Sequence, residues 1–228
     1  FKIKEDLSLV TNLFCLSLIS IILIIQPDFG MFILISVVWL IQLLTINVKS
    51  KILYPIISVI LGIFLLCFFM LDHVRFRIMN YLFSDIGDNY QITKSIDSFK
   101  NGGFFGQGIG EGVISKKLPD SHSDFVYALI SEELGIIVSI IILFLYMIPY
   151  IRIHYICQRS SNLFKITSLT GLSNIFLFQT IINISSSLNI IPTKGMTLPF
   201  ISYGGSSLIS SALLIGYILV LVKDDLNE

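Results

Sequence analysis

Two carboxylates, an imidazole and two ammonium groups fall between residues 116 and 124 of the 228-residue sequence: Lys116 and Lys117, then Asp120, His122 and Asp124. A carboxylate held near a hydroxyl can take its proton during attack, and nearby cations can offset charge building on an anionic leaving group. Spacing alone leaves Asp124 open between two roles. Ser121 followed three residues later by Asp124 fits a capping box that would open a helix at Phe125, and a general base fits equally well. His122 reads either as a hydrogen-bonded interfacial residue or as a base.

Further candidates flank this cluster. Glu132 and Glu133 would lie about 12 to 14 Å along a helix from Asp124. Intramembrane carboxylates are functional suspects, but residues 134–151 nearly suffice to span on their own, which would leave both glutamates at the outer interface. Arg75 and Arg77 are either pyrophosphate partners or head-group anchors. In the run from Gly102 to Gly112, Gly106, Gly108 and Gly110 allow positive φ and close backbone approach. That freedom serves a backbone cradle for phosphate or sugar, or tight turns against a bilayer. A dinucleotide fingerprint would need a preceding strand, and none is evident. Lys194 either faces a cavity as an anion or carboxylate partner or snorkels to the surface.

The composition identifies the solvent in which these groups are held. Charged residues make up 13% and hydrophobic residues 54%, with a mean hydropathy of +0.87. A soluble domain has about 25% charged residues, so lipid is the principal solvent. Formal net charge is zero, which removes any basic excess for nucleic acid. Cys15, Cys67 and Cys157 have neither paired spacing nor a histidine cluster, so no metal site is expected and they read as small buried apolar residues. The chain starts at Phe1 without a signal-peptide pattern, and the expectation is a portion of a longer protein.

Crossing the hydrocarbon core takes about 20 mainly apolar residues, and six runs qualify: 7–25, 30–46, 52–71, 125–151, 166–184 and 206–222. Their continuity argues against the alternating strands of a barrel. The expected fold is all-α, a polytopic transmembrane helical bundle forming one membrane domain over residues 1–228. Basic residues in short loops set orientation. Lys2, Lys4, Lys49, Lys51, Arg152, Arg159, Lys165 and Lys223 share one side, taken as cytoplasmic, and both ends of the chain fall there. The opposite side receives the turn at Gln26-Pro27-Asp28, a loop before the last span, and a long extracytoplasmic loop, 72–124. Long ordered loops are usually functional. Within it, Ile92, Ile96 and Phe99 are spaced as one face of a helix lying along the membrane surface and stopped by Gly102-Gly103. The last loop is apolar yet full of helix breakers, so it should line the same cavity as Asp124.

Several stretches together resemble the SEDS family (shape, elongation, division and sporulation), whose branches include FtsW, RodA and SpoVE. They are Gln26-Pro27-Asp28-Phe29-Gly30, Tyr90-Gln91, the glycine run to Gly110, Leu118-Pro119 with His122-Ser123-Asp124-Phe125, Glu132-Glu133-Leu134-Gly135, and Pro199 through Ser207. Pro192-Thr193-Lys194-Gly195 is similar to the FtsW branch, since RodA usually has an uncharged residue at the lysine. Where the family usually reads Pro-Glu-Ala-His-Thr-Asp, this chain has Pro119-Asp120-Ser121-His122-Ser123-Asp124, which keeps the histidine and the aspartate.

The resemblance implies ten spans, of which six are in this chain. It implies a peptidoglycan glycosyltransferase of cell division that polymerises lipid II, transferring glycan from an undecaprenyl-pyrophosphate donor to the 4-hydroxyl of a GlcNAc acceptor, outside the bacterial cytoplasmic membrane and at the septum. Asp124 is then the base or acceptor-positioning carboxylate, with His122 orienting it. Arg77, Lys116, Lys117 and Lys194 become anion contacts, Gly106, Gly108 and Gly110 line the substrate, and Glu132, Glu133 and Ser206 support the site. Implied partners are a class B penicillin-binding protein and other divisome proteins. No cofactor is required by the sequence, and a divalent cation is compatible with it. A lipid II flippase and a non-catalytic divisome scaffold are the competing expectations.

Overall fold

The computed structural model describes residues 2–46, 48–83, 90–192 and 195–223, with side chains from residue 11 onward. Lys194 lies outside the described residues, as do the side chains of Lys2 and Lys4. The regular elements are α1 (Lys2–Ile25), α2 (Phe29–Thr45), α3 (Ser50–Met70), α4 (Asp72–Leu82), α5 (Tyr90–Gly102), α6 (Val126–Arg159), α7 (Leu163–Ser187) and α8 (Gly205–Lys223), with a 3-10 turn at Ser115–Lys117. Among the described residues there is no strand.

Helices α3, α6 and α8 are long and apolar enough to cross a bilayer, while Thr11–Ile25 and α2 are shorter apolar helices. Their outward faces carry Leu66, Phe69 and Met70 on α3, Phe144 and Leu145 on α6, and Leu213 and Leu219 on α8, all largely exposed. Contiguous apolar exposure on this scale is unfavourable in water and favourable in lipid. This is a helical membrane protein. Cys15 is exposed on such a face, contrary to the sequence expectation, whereas Cys67 is buried.

Helix α7 is the centre of the bundle, packing against α2, α6 and α8. It buries Ser173, Asn174, Thr180, Asn183, Ser186 and Ser187, and several of these satisfy themselves on its own carbonyls. Thr180 donates to Phe176 O (2.9 Å), Asn174 to Thr170 O (2.7 Å) and Ser187 to Asn183 O (3.0 Å), which removes the penalty for polar atoms away from water. The apolar remainder joins clusters with each neighbour: Phe176 and Ile184 with Val126, Tyr127, Ile130 and Tyr146 of α6, and Leu169 with Ile153 of α6 and Ile218 of α8. Between α2 and α7, Gln42 donates to Thr167 O at 3.1 Å. A Cβ on Gly171 would stand 2.0 Å from that amide nitrogen, so glycine is what allows the contact.

Helix α6 is broken near its start. Gly135 has φ 84 and ψ 170, a conformation glycine tolerates and other residues do not, and the helical ladder is interrupted there. The glycine-rich loop takes its place: Gln107 N donates to Glu132 O (2.9 Å), Gly108 N to Glu133 O (3.0 Å), and Ile136 N to Gly103 O (3.0 Å). Residues 136–159 alone extend roughly 36 Å at 1.5 Å per residue, enough for a hydrocarbon core of about 30 Å.

One local expectation is corrected. The capping box at Ser121 and Asp124 does not form, because α6 starts at Val126 behind Phe125, which makes no side-chain cap bond. Helix α5 occupies the expected stretch and packs on the bundle. Ser95 donates to Ser187 O at 2.6 Å, the Phe99 ring lies 5.9 Å from that of Tyr127, and Gly102 meets the Ser131 backbone so closely that a Cβ would be 2.0 Å from its oxygen. Small residues on one face allow that approach, which hydrophobic periodicity does not reveal. Helix α4 was also not anticipated; its mixed polar sequence lacks an apolar period.

Candidate functional site

Residues 118–125 run in successive turns before α6, and the turn around Asp124 is built on one carbonyl. Asp120 has φ 55, and its oxygen accepts from the backbone N–H of Ser123 (3.1 Å), Asp124 (3.0 Å) and Phe125 (3.3 Å). The next carbonyls face the last two helices and their loop. His122 O accepts from Tyr203 N (2.8 Å), Ser123 O from the Ser202 hydroxyl (2.5 Å), and Asp124 O from Asn183 Nδ2 (2.9 Å). The same Asn183 nitrogen donates to Met196 O (2.5 Å). Three consecutive carbonyls are thus pinned from outside the turn, and Asp124 can shift only with α7 and the last loop.

The Asp124 side chain is half-buried and turned toward Gly195, where a Cβ would stand 2.7 Å from Oδ2. Burial raises its pKa above the usual aspartate value and the Asp120 charge adds to the rise, while a hydrogen bond from Ser123 and the positive charge of Arg77 oppose it. Desolvation and like charge favour the neutral acid, and the cation and donor favour the carboxylate. Such a group is easier to protonate than an exposed aspartate, which suits a proton acceptor.

Arg77, on α4, therefore reaches Asp124 electrostatically. It also lines a cavity of about 450 Å³ between α2, α3, α4 and α7, whose walls include Phe29, Ile33, Phe64, Ile78 and Ile182. A second cavity of about 760 Å³ lies between the start of α6 and the start of α8, lined by His122, Val126, Leu129, Phe200, Tyr203 and Leu208 among others. The His122 side chain is exposed, and Ser123 is the side-chain donor among the groups that shift Asp124.

Several candidates hold the loop. Glu132 is fully buried and accepts from Val113 N (3.1 Å), Ile114 N (2.9 Å), Ser115 N (2.6 Å) and Asn101 Nδ2 (2.7 Å). Glu133 contributes its backbone carbonyl to Gly108. Gly106, at φ 80, sits so close to α6 that a Cβ would be 2.2 Å from Glu133 O. The N–H groups of residues 106, 107 and 108 all donate to protein carbonyls, so this part of the run is a seam with α6 and not a phosphate cradle. Gly108 and Gly110 also have positive φ, and nothing stands within 4 Å of a Cβ on Gly110. Lys116 donates to Gly110 O (2.6 Å), and Lys117 is exposed with its carbonyl accepting from the Tyr90 hydroxyl (3.3 Å). Neither lysine is among the charges that shift Asp124. Ser206 is exposed at the start of α8; nearby, Ser202 donates to Ser123 O and the Ser207 hydroxyl lies 2.7 Å from Thr197 Oγ1. Among the described residues no three His, Cys, Asp or Glu side chains gather as metal ligands.

Residues 2–227 match the model of the FtsW/RodA/SpoVE family of cell cycle proteins. The chain belongs to this family. It is 37% identical over 202 residues to a probable peptidoglycan glycosyltransferase FtsW of Caulobacter vibrioides, an alignment covering 89% of this chain and 52% of that protein. It is 33% identical over 231 residues to the FtsW so named from Coxiella burnetii, covering 98% and 62%. A solved chain from work on the structural coordination of polymerization and crosslinking by a peptidoglycan synthase complex superposes with a TM-score of 0.66 at 25% identity, covering 89% of this chain and 57% of that one. The chain spans about half to three fifths of the length of these relatives.

Within this FtsW/RodA/SpoVE member, Asn183 is the site residue that sequence reasoning missed. It lies inside an apolar run, where an asparagine reads as a tolerated polar residue. Its helical position, with an amide that reaches two carbonyls at once, becomes legible only when α7 is packed against the Asp124 turn. Complete burial of a side chain with this much hydrogen-bonding capacity was the one available signal, and it is a property of the fold.

Proposed function

We propose that this chain is the C-terminal membrane portion of a division-type peptidoglycan glycosyltransferase, which polymerises lipid II into glycan strands. The observation that carries the reading is Asp124: a half-buried carboxylate pinned through its backbone, packed against Gly195, and under the field of an arginine that borders an apolar cavity. In the reaction, the acceptor 4-hydroxyl oxygen forms a bond to C1 of the donor sugar as the C1–O bond to pyrophosphate breaks. The hydroxyl proton passes to the Asp124 carboxylate, and the leaving undecaprenyl pyrophosphate takes the bonding electrons. Arg77 offsets the charge that gathers on it, and the apolar cavity suits the polyprenyl chain. The reaction as written needs no cofactor, and a divalent cation accompanying the pyrophosphate is compatible with it.

In this reading α1, α2, α3, α6, α7 and α8 are six spans of ten. Both ends of the chain are cytoplasmic, the segment from α4 to Asp124 lies outside the cytoplasmic membrane, and the complete protein works at the septum with a class B penicillin-binding protein and other divisome proteins. His122, Lys116, Lys117, Lys194, Gly108 and Gly110 remain candidate substrate contacts. The test uses the full-length protein with its penicillin-binding partner and labelled lipid II. Polymer should form with wild type and be lost with Asp124→Asn; polymer retained in the variant removes Asp124 from the chemistry. Translocation of lipid II in proteoliposomes without polymer would replace the polymerase with a flippase.

A further inference from the structure

His73 stands one helical turn before Arg77 on α4, so the two side chains share a face, and both line the apolar cavity between α2, α3, α4 and α7. The Nε2 atom of His73 is shielded from solvent and has no hydrogen-bond partner among the described residues. A buried ring nitrogen left without a partner is unfavourable. The helix start beside it is likewise open: Leu71 precedes α4 without a side-chain cap bond, which leaves the positive end of the helix to be complemented by an anion. Asp72 shares that first turn but is exposed and is not part of the cavity lining. An apolar chamber with a guanidinium, an imidazole nitrogen and a helix start at one end has the chemistry of a site for an anionic head group on a hydrocarbon chain.

We propose that His73 is a binding residue for the lipid-linked substrate, donating a hydrogen bond from Nε2 to a phosphate oxygen that Arg77 holds from the next turn. This rests on the glycosyltransferase reading for the identity of the lipid, and its geometry does not depend on which residue takes the proton. His73 was not singled out by sequence, because a lone histidine after an apolar run has the appearance of an interfacial residue.

The full-length protein in nanodiscs supplies the test, with undecaprenyl pyrophosphate and the neutral undecaprenol as probes. His73→Ala should weaken undecaprenyl pyrophosphate binding about tenfold or more, as expected for a hydrogen bond to a charged group, and leave undecaprenol binding as in wild type. His73→Gln, which restores an N–H donor, should recover part of the loss. In polymerisation assays with the penicillin-binding partner, His73→Ala should raise KM for lipid II while kcat stays within about twofold. Unchanged binding in His73→Ala overturns the proposal, and so does an equal loss for both probes, which would mark the residue as packing only. Asp124→Asn separates the two readings: if it keeps both polymerisation and pyrophosphate binding, the catalytic assignment fails while His73 stands.

Discussion

Glu132 and Glu133 are adjacent in sequence and identical in chemistry, yet the structure gives their side chains different work, and replacing each by alanine should expose the difference. The Glu132 carboxylate accepts four hydrogen bonds between 2.6 and 3.1 Å, three of them from consecutive N–H groups of the loop at Val113, Ile114 and Ser115. Each buried donor left without an acceptor costs roughly 1–3 kcal/mol, so four together would cost roughly 4–12 kcal/mol if the loop stayed in place. The loop instead opens to water, and the penalty is limited by its own opening free energy. With a loss of only about 3 kcal/mol, the open population rises by about a hundredfold. Amide exchange read by mass spectrometry over residues 113–115 should therefore accelerate by about a hundredfold or more in Glu132→Ala. Glu133→Ala should leave the same amides protected, because Glu133 holds Gly108 through its backbone carbonyl, which the substitution keeps. Equal exchange in the two variants, or unchanged exchange in Glu132→Ala, would refute the clamp.

The pKa of Asp124 is raised by burial and then by Asp120, so polymerisation should fail on the acid side at a higher pH than an ordinary aspartate allows, and Asp120→Asn should move that limb to lower pH in a pH–rate profile. The linkage has a definite sign: a carboxyl whose folded pKa is raised contributes stability that is present below the unfolded pKa and is lost as pH rises through the folded value, so Asp124→Asn should stabilise the protein at neutral pH relative to wild type in thermal unfolding. Gly195→Ala would place a Cβ 2.7 Å from Asp124 Oδ2, and the displaced carboxylate should lower kcat by roughly 10- to 100-fold with expression and thermal stability close to wild type. Gly106→Ala meets the α6 backbone at 2.2 Å whereas Gly110→Ala meets open space, so only the former should release the loop to limited proteolysis. Gly110→Ala should cost about 1–2 kcal/mol from its positive φ alone.

Long apolar runs were legible in the sequence because length and hydropathy suffice to find them; α1, α2, α3, α6, α7 and α8 lie on those runs, and α3, α6 and α8 are long and apolar enough to cross a bilayer. Asp124 was legible as a candidate because charged residues in such a chain stand out. What sequence did not show is how small residues behave. The Ser95, Ser98 and Gly102 face of α5 packs on protein, and periodicity scales register such residues as neutral. Sequence left Gly106 open between a phosphate cradle and a tight turn, because positive φ serves a seam with a helix as readily as a ligand, and only the partner's position distinguishes them. The helix cap at Asp124 failed for a related reason: Asp120 takes up a left-handed conformation and its carbonyl collects the N–H groups that a cap would have served.

The break at Gly135 also bears on the order in which the protein is made. Residues 103–108 leave the ribosome shortly before residues 132–136, and the hydrogen bonds between them close over a short stretch of chain. The loop and the first turns of α6 can therefore settle against each other as soon as α6 is inserted, before α7 exists. Asp124 has no such independence. Its carbonyl waits for Asn183 and its carboxylate for Gly195, so a nascent chain stalled after α6 would hold a finished seam of loop and helix beside an unfinished acid.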